Sequence, residues 1–106
     1  MELFGLKNCD TCRAARKALP DATFSDVRDS PLPSPILDRA LEVFGDDLVN
    51  RRSTTWRGLS EEERARPPRD LLGEHPALMK RPLIVDGDTM YLGWTADTRK
   101  SLNVKA

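Results

Sequence analysis

The chain has 106 residues, 39% of them hydrophobic and 32% charged, and its 17 basic and 17 acidic side chains leave a net charge of zero. This length predicts a single domain over residues 1–106, which can bury a core without metal or disulfide crosslinks. The lack of a basic excess argues against direct nucleic-acid binding. No apolar run approaches the roughly 20 residues that span a bilayer, and the first residues lack the pattern of a signal peptide. We therefore expect a soluble cytoplasmic domain that does not bind membranes.

The first part of the chain predicts a β-α-β unit. Residues 2–6 are apolar and short enough for a strand, and a helical pattern starts at Cys9 and ends before Pro20. Residues 22–27 resemble a second short strand. The three prolines within residues 28–35 exclude regular structure after it.

A helical segment is expected next. Ser34 is predicted to cap a helix that has Pro35 at its first position. An apolar stripe continues to Phe44, and Gly45 ends the helix. Residues 46–52 are consistent with one more helical turn.

Short, interrupted helices follow. Ser60 and Glu63 form a capping-box pattern, and the prolines at 67–68 cut that helix short. Residues 71–79 are predicted as a further short helix that Pro76 interrupts. The middle of the chain is therefore helical but contains no long helix.

The last part of the chain predicts a β-hairpin and a helix. The apolar, β-branched residues 83–85 and the residues 90–92 are predicted strands joined by a turn at 86–88. Thr95 is expected to cap a final helix that runs to about residue 103. The complete order is that of an α/β domain: β-α-β, a helical middle, then β-β-α.

Two cysteines three residues apart lie where the first strand meets the first helix. At a helix N-terminus, free N–H groups and the helix dipole favour the thiolate of Cys9, and we expect its pKa to be depressed. Asp10 acts in the opposite direction. The basic side chains expected to add to the effect are Lys7, Arg13 and Arg16.

Several roles remain open for this cysteine pair. Cys9 can attack a substrate and Cys12 can resolve the product into a disulfide. Cys12 also lies on the apolar stripe of the helix, where it can be an inert buried residue. A structural zinc site formed with His75 is a weaker alternative, because such sites use four ligands and only three soft donors are present.

Three sequence blocks resemble the arsenate reductase (ArsC)/Spx family, and the YffB-like ArsC-family reductases most of all. Residues 7–17 read KNCDTCRAARK, residues 50–57 read NRRSTTWR and residues 80–84 read KRPLI. The blocks occur in the family's order and cover most of the chain. The resemblance implies a thioredoxin-like fold with a helical insertion at about 34–79.

The resemblance also assigns roles to individual residues. It implies that Cys9 is the nucleophile and that Arg81 binds the anionic substrate next to it. Arg52 matches the central functional arginine and is a substrate-binding candidate. Pro82 matches the proline that is cis in thioredoxin-like folds and faces the active cysteine, so it is a substrate-binding candidate too. Asn8 directly precedes the nucleophile and is a further substrate-binding candidate.

The resemblance predicts a thiol-dependent reductase with glutathione as co-substrate and no bound cofactor or metal. The reductant is then a small thiol or a glutaredoxin-type protein, and the protein is expected to be a monomer. Residues 92–95 lack the further arginine of true arsenate reductases, so one contact to the arsenate oxyanion is lost. The alternative is an Spx-like redox-sensing regulator that contacts RNA polymerase.

Overall fold

A computed structural model describes residues 1–103 and contains four strands and six α-helices in this range. The last three residues of the predicted domain lie outside the described part. The strands are β1 (Glu2–Gly5), β2 (Thr23–Asp26), β3 (Leu83–Asp86) and β4 (Thr89–Leu92). The helices are α1 (Asp10–Ala18), α2 (Ser34–Phe44), α3 (Thr54–Arg57), α4 (Glu61–Arg64), α5 (Pro68–Glu74) and α6 (Ala96–Ser101). The predicted order of elements is confirmed.

The four strands form one mixed sheet in the order β2-β1-β3-β4. β1 and β2 are parallel and α1 connects them, whereas β3 is antiparallel to both β1 and β4. β3 and β4 form the predicted hairpin, in which Gly87 has a φ of 59°. Such left-handed backbone is accessible to glycine without steric cost.

The two faces of the sheet are covered by different helices. Leu3 and Ile84 point to one face and pack with Ala15 of α1. The neighbouring residues Phe4 and Leu83 point to the other face and pack against the helical middle of the chain. This alternation follows from the period of two in a strand. The sheet is therefore buried on both sides.

Two distant parts of the helical middle segment are paired just before the chain enters β3. Val49 and Met79 form an isolated antiparallel bridge. Around it, the Asn50 N–H donates to Leu78 at 2.7 Å and the Lys80 N–H donates to Leu48 at 2.8 Å. These bonds hold the loop after residue 49 beside the segment that leads into β3.

Four details of the helical segment differ from the prediction, and the first three concern α2, the turn after it and α3. Ser34 is not the cap of α2: Pro33 occupies that position and its carbonyl accepts the Leu37 N–H, so the helix starts one residue earlier. The helical turn after Gly45 is a 3-10 turn, Gly45–Leu48, that stops short of residue 52. α3 was not predicted, because four residues are too few to show a helical period.

The prolines at 67–68 do not act as simple breakers. Pro67 stands at the cap position of α5 and Pro68 begins the helix, where a missing N–H leaves no hydrogen bond unmade. α5 therefore starts before residue 71.

The predicted caps at Ser60 and Thr95 are present, since each side chain accepts the N–H three residues later. Within residues 1–103, no helix has both the length and the apolar character to cross a membrane.

Candidate active site

Cys9 occupies the N-cap position of α1, directly after the turn that follows β1. Its backbone is extended, with φ −91° and ψ 126°, and its carbonyl accepts the Arg13 N–H at 2.9 Å. The sulfur is partly exposed and lies 3.1 Å from the Thr11 hydroxyl. No side-chain hydrogen bond caps this helix start, so the first N–H groups of α1 face the thiol and solvent.

The surroundings of Cys9 favour its thiolate. Partial burial is the largest single influence and raises the pKa of the Cys9 thiol. Hydrogen bonds from the Thr11 hydroxyl, the Cys12 N–H, the Arg81 guanidinium and the Cys12 thiol outweigh it and lower the pKa to about 7. An ordinary cysteine has a pKa near ~8.5. The Cys9 thiolate is therefore favoured relative to that of an ordinary cysteine.

Cys12 has the opposite character. Its side chain lies on the buried face of α1, and burial is the main reason that the pKa of the Cys12 thiol rises to about 11. The neighbouring Cys9 adds to the increase, whereas a backbone hydrogen bond from Leu6 and the charge of Arg81 oppose it. Both cysteines are free thiols. The pair thus consists of one partly exposed sulfur with a lowered pKa and one enclosed sulfur with a raised pKa.

Arg81 acts on both cysteines, and Pro82 directly follows it in the chain. The Arg81–Pro82 peptide bond is cis, and Pro82 is fully buried. Arg81 is half-buried, and its Nη1 donates to the Ala77 carbonyl at 2.7 Å. Its Nε is buried and has no hydrogen-bond partner within residues 1–103. The structure therefore brings a fixed guanidinium to Cys9.

Neither Arg52 nor Asn8 is among the groups that act on the Cys9 thiol. Arg52 is exposed on the loop after residue 49, and its N–H donates to the Asn50 side chain at 3.0 Å. It lines a surface cleft with Lys80, the residue before Arg81. Asn8 is exposed in the turn before α1. The substrate-binding roles of Arg52 and Asn8 stay predictions.

The basic residues expected to assist Cys9 are engaged elsewhere. Lys7 pairs with Asp29 at 3.0 Å, and the Arg13 Nε donates to the Lys7 carbonyl at 3.3 Å. The Arg16 guanidinium stacks over Phe24 at 4.2 Å. None of the three is among the groups that shift the pKa of Cys9, and Asp10 is not among them either. The positive charge at the site comes instead from Arg81.

Two supporting residues were missed by the sequence reasoning. One is Thr11, whose hydroxyl faces Cys9 from two residues along the chain. The other is Asp26 at the end of β2, whose carboxylate accepts the N–H groups of Lys7 at 2.9 Å and Arg28 at 2.8 Å. The bond from Lys7 ties the turn before Cys9 to the neighbouring strand, and the bond from Arg28 is local to the end of β2. A hydroxyl residue just after a helix cap is a local signal, whereas the role of Asp26 depends on strand pairing.

His75 does not join the cysteines, so the zinc alternative is not supported. Within residues 1–103 it lies with Glu63 and Glu74, whose carboxylates are both bonded to Arg66, at 2.9 and 2.6 Å. This network links α4 to α5. Both carboxylates are already paired with the Arg66 guanidinium, which offsets one of their two negative charges.

Comparisons with known proteins agree with this geometry. The sequence model described as the ArsC family matches residues 4–102. An uncharacterised protein of Haemophilus influenzae is 38% identical, over 87% of this chain and 89% of the relative. The global transcriptional regulator Spx of Bacillus subtilis is 27% identical, over 90% of this chain and 80% of Spx. The solved structure of a YffB protein superposes with a TM-score of 0.83 and 28% identity, over 94% of this chain and 96% of that protein.

Proposed function

The chain belongs to the ArsC family, and we propose that it is a thiol-dependent reductase whose nucleophile is the Cys9 thiolate. The observation that carries the proposal is the set of donors around Cys9. The Thr11 hydroxyl, the Cys12 N–H and thiol and the Arg81 guanidinium all stabilise the negative sulfur. A thiolate at a partly exposed helix N-terminus is the form that attacks disulfides.

We propose a disulfide as the substrate class. The Cys9 thiolate attacks one sulfur of a disulfide RS–SR′, so that a Cys9–S–S–R bond forms, the substrate S–S bond breaks and R′S⁻ leaves and takes a proton from solvent. A first glutathione thiolate attacks the Cys9 sulfur and displaces RS⁻. A second glutathione attacks the resulting Cys9–glutathione disulfide and releases the Cys9 thiolate. The substrate gains two electrons and two protons, and two glutathiones become oxidised glutathione.

Glutathione is proposed as the resolving thiol because Cys12 is poorly suited to the task. Cys12 is enclosed and its pKa is about 11, so it contains little thiolate at neutral pH. Arg81 acts on the Cys9 thiol and is held by the Ala77 carbonyl, and Arg52 lines a surface cleft together with Lys80, the residue before Arg81. We assign these two guanidiniums to the carboxylates of glutathione or to another anionic group, since a guanidinium fork pairs well with carboxylates. No bound cofactor or metal is needed for this cycle.

A turnover assay tests the function. Wild-type protein, Cys9→Ser and Cys12→Ser are assayed with glutathione against a panel of small disulfides and arsenate. We expect Cys9→Ser to lose disulfide reduction and Cys12→Ser, the matched control, to retain it. Undiminished activity of Cys9→Ser would exclude the proposed nucleophile. Loss of activity in both variants would assign the resolving step to Cys12.

A second candidate function is a redox-responsive regulator, which the similarity to Spx favours. In this case Cys9 and Cys12 form a disulfide that alters a surface contacted by RNA polymerase. A pull-down with the polymerase α-subunit, using reduced and oxidised protein, separates the two functions. Retention of the α-subunit in one redox state, together with no turnover, would favour the regulator.

The location and assembly of the protein remain proposals. We place it in the reducing cytoplasm, because both cysteines are free and disulfide-forming compartments would oxidise a low-pKa thiol. We propose a monomer, which sedimentation at micromolar concentration tests. A glutaredoxin-type protein is the alternative reductant, and replacing glutathione with such a protein in the turnover assay tests it.

A further inference from the structure

We propose that Gly5 is a positioning residue of the Cys9 site, because its missing side chain leaves the space that the Cys12 sulfur occupies between β1 and α1. The proposal rests on the proposed function in one respect, that Cys9 is the nucleophile. It adds a residue on the sheet that no sequence block of the resemblance includes. Gly5 is the last residue of β1 and does not touch the reacting sulfur itself.

The geometry at Gly5 is unusually restrictive. A Cβ built on Gly5 would overlap the Cys12 Sγ, and the Cys12 Cβ would be 3.4 Å away. The next neighbour is the edge of the Phe24 ring at 3.8 Å, which is ordinary contact. Gly5 needs no positive φ, since the glycines with positive φ within residues 1–103 are Gly45, Gly87 and Gly93. The requirement for glycine is therefore steric and concerns one atom, the Cys12 sulfur.

Cys12 cannot easily yield to a side chain at this position. Its side chain is 1% exposed, so the sulfur is enclosed on all sides. Few side-chain rotamers are open to a helical residue, because one of the three staggered positions clashes with the preceding turn. A Cβ on Gly5 must therefore turn the sulfur away or push the first turn of α1 off the sheet.

Both responses would alter the Cys9 thiolate. The Cys12 thiol and the Cys12 backbone N–H are both among the groups that lower the pKa of Cys9. Turning the sulfur takes the Cys12 thiol away from Cys9. Moving the helix shifts the Cys12 N–H and the Thr11 hydroxyl, which weakens their effect on the Cys9 sulfur. Gly5 thus acts through Cys12 on the ionisation of Cys9.

The test is a double-mutant cycle read on the ionisation of Cys9. The rate of iodoacetamide alkylation of Cys9 is measured against pH for wild-type protein, Gly5→Ala, Cys12→Ala and the double variant. We expect Gly5→Ala to raise the pKa of Cys9 by about one unit, which lowers the alkylation rate at pH 7 about fivefold. In the Cys12→Ala background the sulfur is absent, so adding Gly5→Ala should leave the pKa of Cys9 unchanged.

Gly73→Ala is the matched control, because a Cβ at Gly73 in α5 meets no atom within 4 Å. It should leave the titration of Cys9 at the wild-type position. A wild-type titration in Gly5→Ala, or an equal shift with and without the Cys12 sulfur, would overturn the proposal. If Gly5→Ala does not fold, thermal unfolding replaces the titration as the measurement. A folded double variant with a measurable thermal midpoint supports the steric conflict between residue 5 and the Cys12 sulfur, and a double variant that also fails to fold refutes it.

The alkylation readout needs no substrate, so it separates this inference from the proposed function. A protein that shows the expected cycle but no turnover retains Gly5 as a positioning residue and loses the reductase assignment. A protein that turns over disulfides but shows no cycle retains the reductase assignment and loses the role of Gly5.

Discussion

The Thr11 hydroxyl lies 3.1 Å from the Cys9 sulfur, and a single residue separates the two in the chain. Both belong to the start of α1, where Cys9 is the cap and Thr11 is the second helical residue. When Cys9 is ionised, the hydroxyl donates to it, and a hydrogen bond to a charged group is stronger than one between neutral groups. The helix start thus provides a side-chain donor as well as its N–H groups.

Thr11→Val should raise the pKa of Cys9. The change keeps the shape of the side chain and removes the hydroxyl, whose bond to a thiolate is worth about 1.5 kcal/mol. This corresponds to about one pH unit. Alkylation of Cys9 against pH measures it. Thr11→Ser retains the hydroxyl and should titrate as wild type; an identical titration of Thr11→Val would show that the hydroxyl does not stabilise the thiolate.

Arg81 and Arg52 should affect activity in different ways. Arg81→Gln removes a charge that stabilises the Cys9 thiolate, so we expect a higher pKa of Cys9 and a fall in kcat/KM of about tenfold or more. Arg52→Gln should raise KM for glutathione without moving the pKa, because Arg52 does not contact the sulfur. Steady-state kinetics and alkylation measure both effects. A shifted Cys9 titration in Arg52→Gln, or none in Arg81→Gln, would contradict this division.

The parts of the site that are local in sequence were predictable. A strand followed by a turn and an amphipathic helix places Cys9 at a helix N-terminus, and the structure confirms that position. The apolar residues 2–6 likewise predicted a strand, and the structure adds that Leu3 and Phe4 are buried on its opposite faces. Residue type and spacing alone carry this information.

The parts that depend on tertiary contacts were not predictable from local pattern. Lys7 and Arg16 were expected to assist Cys9, but their charges are directed to Asp29 and to the Phe24 ring, which lie far along the chain. The location of Arg81 beside Cys9 was accessible through the resemblance alone, since β3 pairs with β1 across the whole helical segment.

The two cysteines should react at very different rates. Cys9 is partly exposed with a pKa of about 7, whereas Cys12 is enclosed with a pKa of about 11. At pH 7 in native buffer we expect one equivalent of iodoacetamide to be incorporated, at Cys9, and a second in denaturant. Peptide mass spectrometry locates the label. Equal labelling of both thiols in the folded protein would show that Cys12 is not enclosed.

Asp26 should contribute to stability at neutral pH and lose that contribution in acid. The Lys7 N–H, which donates to the carboxylate, is the main cause of its lowered pKa; burial acts against it, and the Arg28 N–H and the Lys7 charge lower the pKa further. A carboxyl group with a pKa lower in the folded than in the unfolded state stabilises the fold above its ordinary pKa near ~3.9 and loses this effect as the pH falls through the lowered value.

Asp26→Ala removes the acceptor of the Lys7 N–H, which holds the turn before Cys9, so we expect a loss of about 1 kcal/mol in the free energy of unfolding at pH 7, allowing for solvent screening. The difference from wild type should shrink between about pH 5 and pH 2. Urea unfolding at a series of pH values measures it. Asp29→Ala is the matched control, because its ion pair with Lys7 is exposed and should contribute little. A difference for Asp26→Ala that is constant with pH would mean that the charge of its carboxylate does not hold the turn.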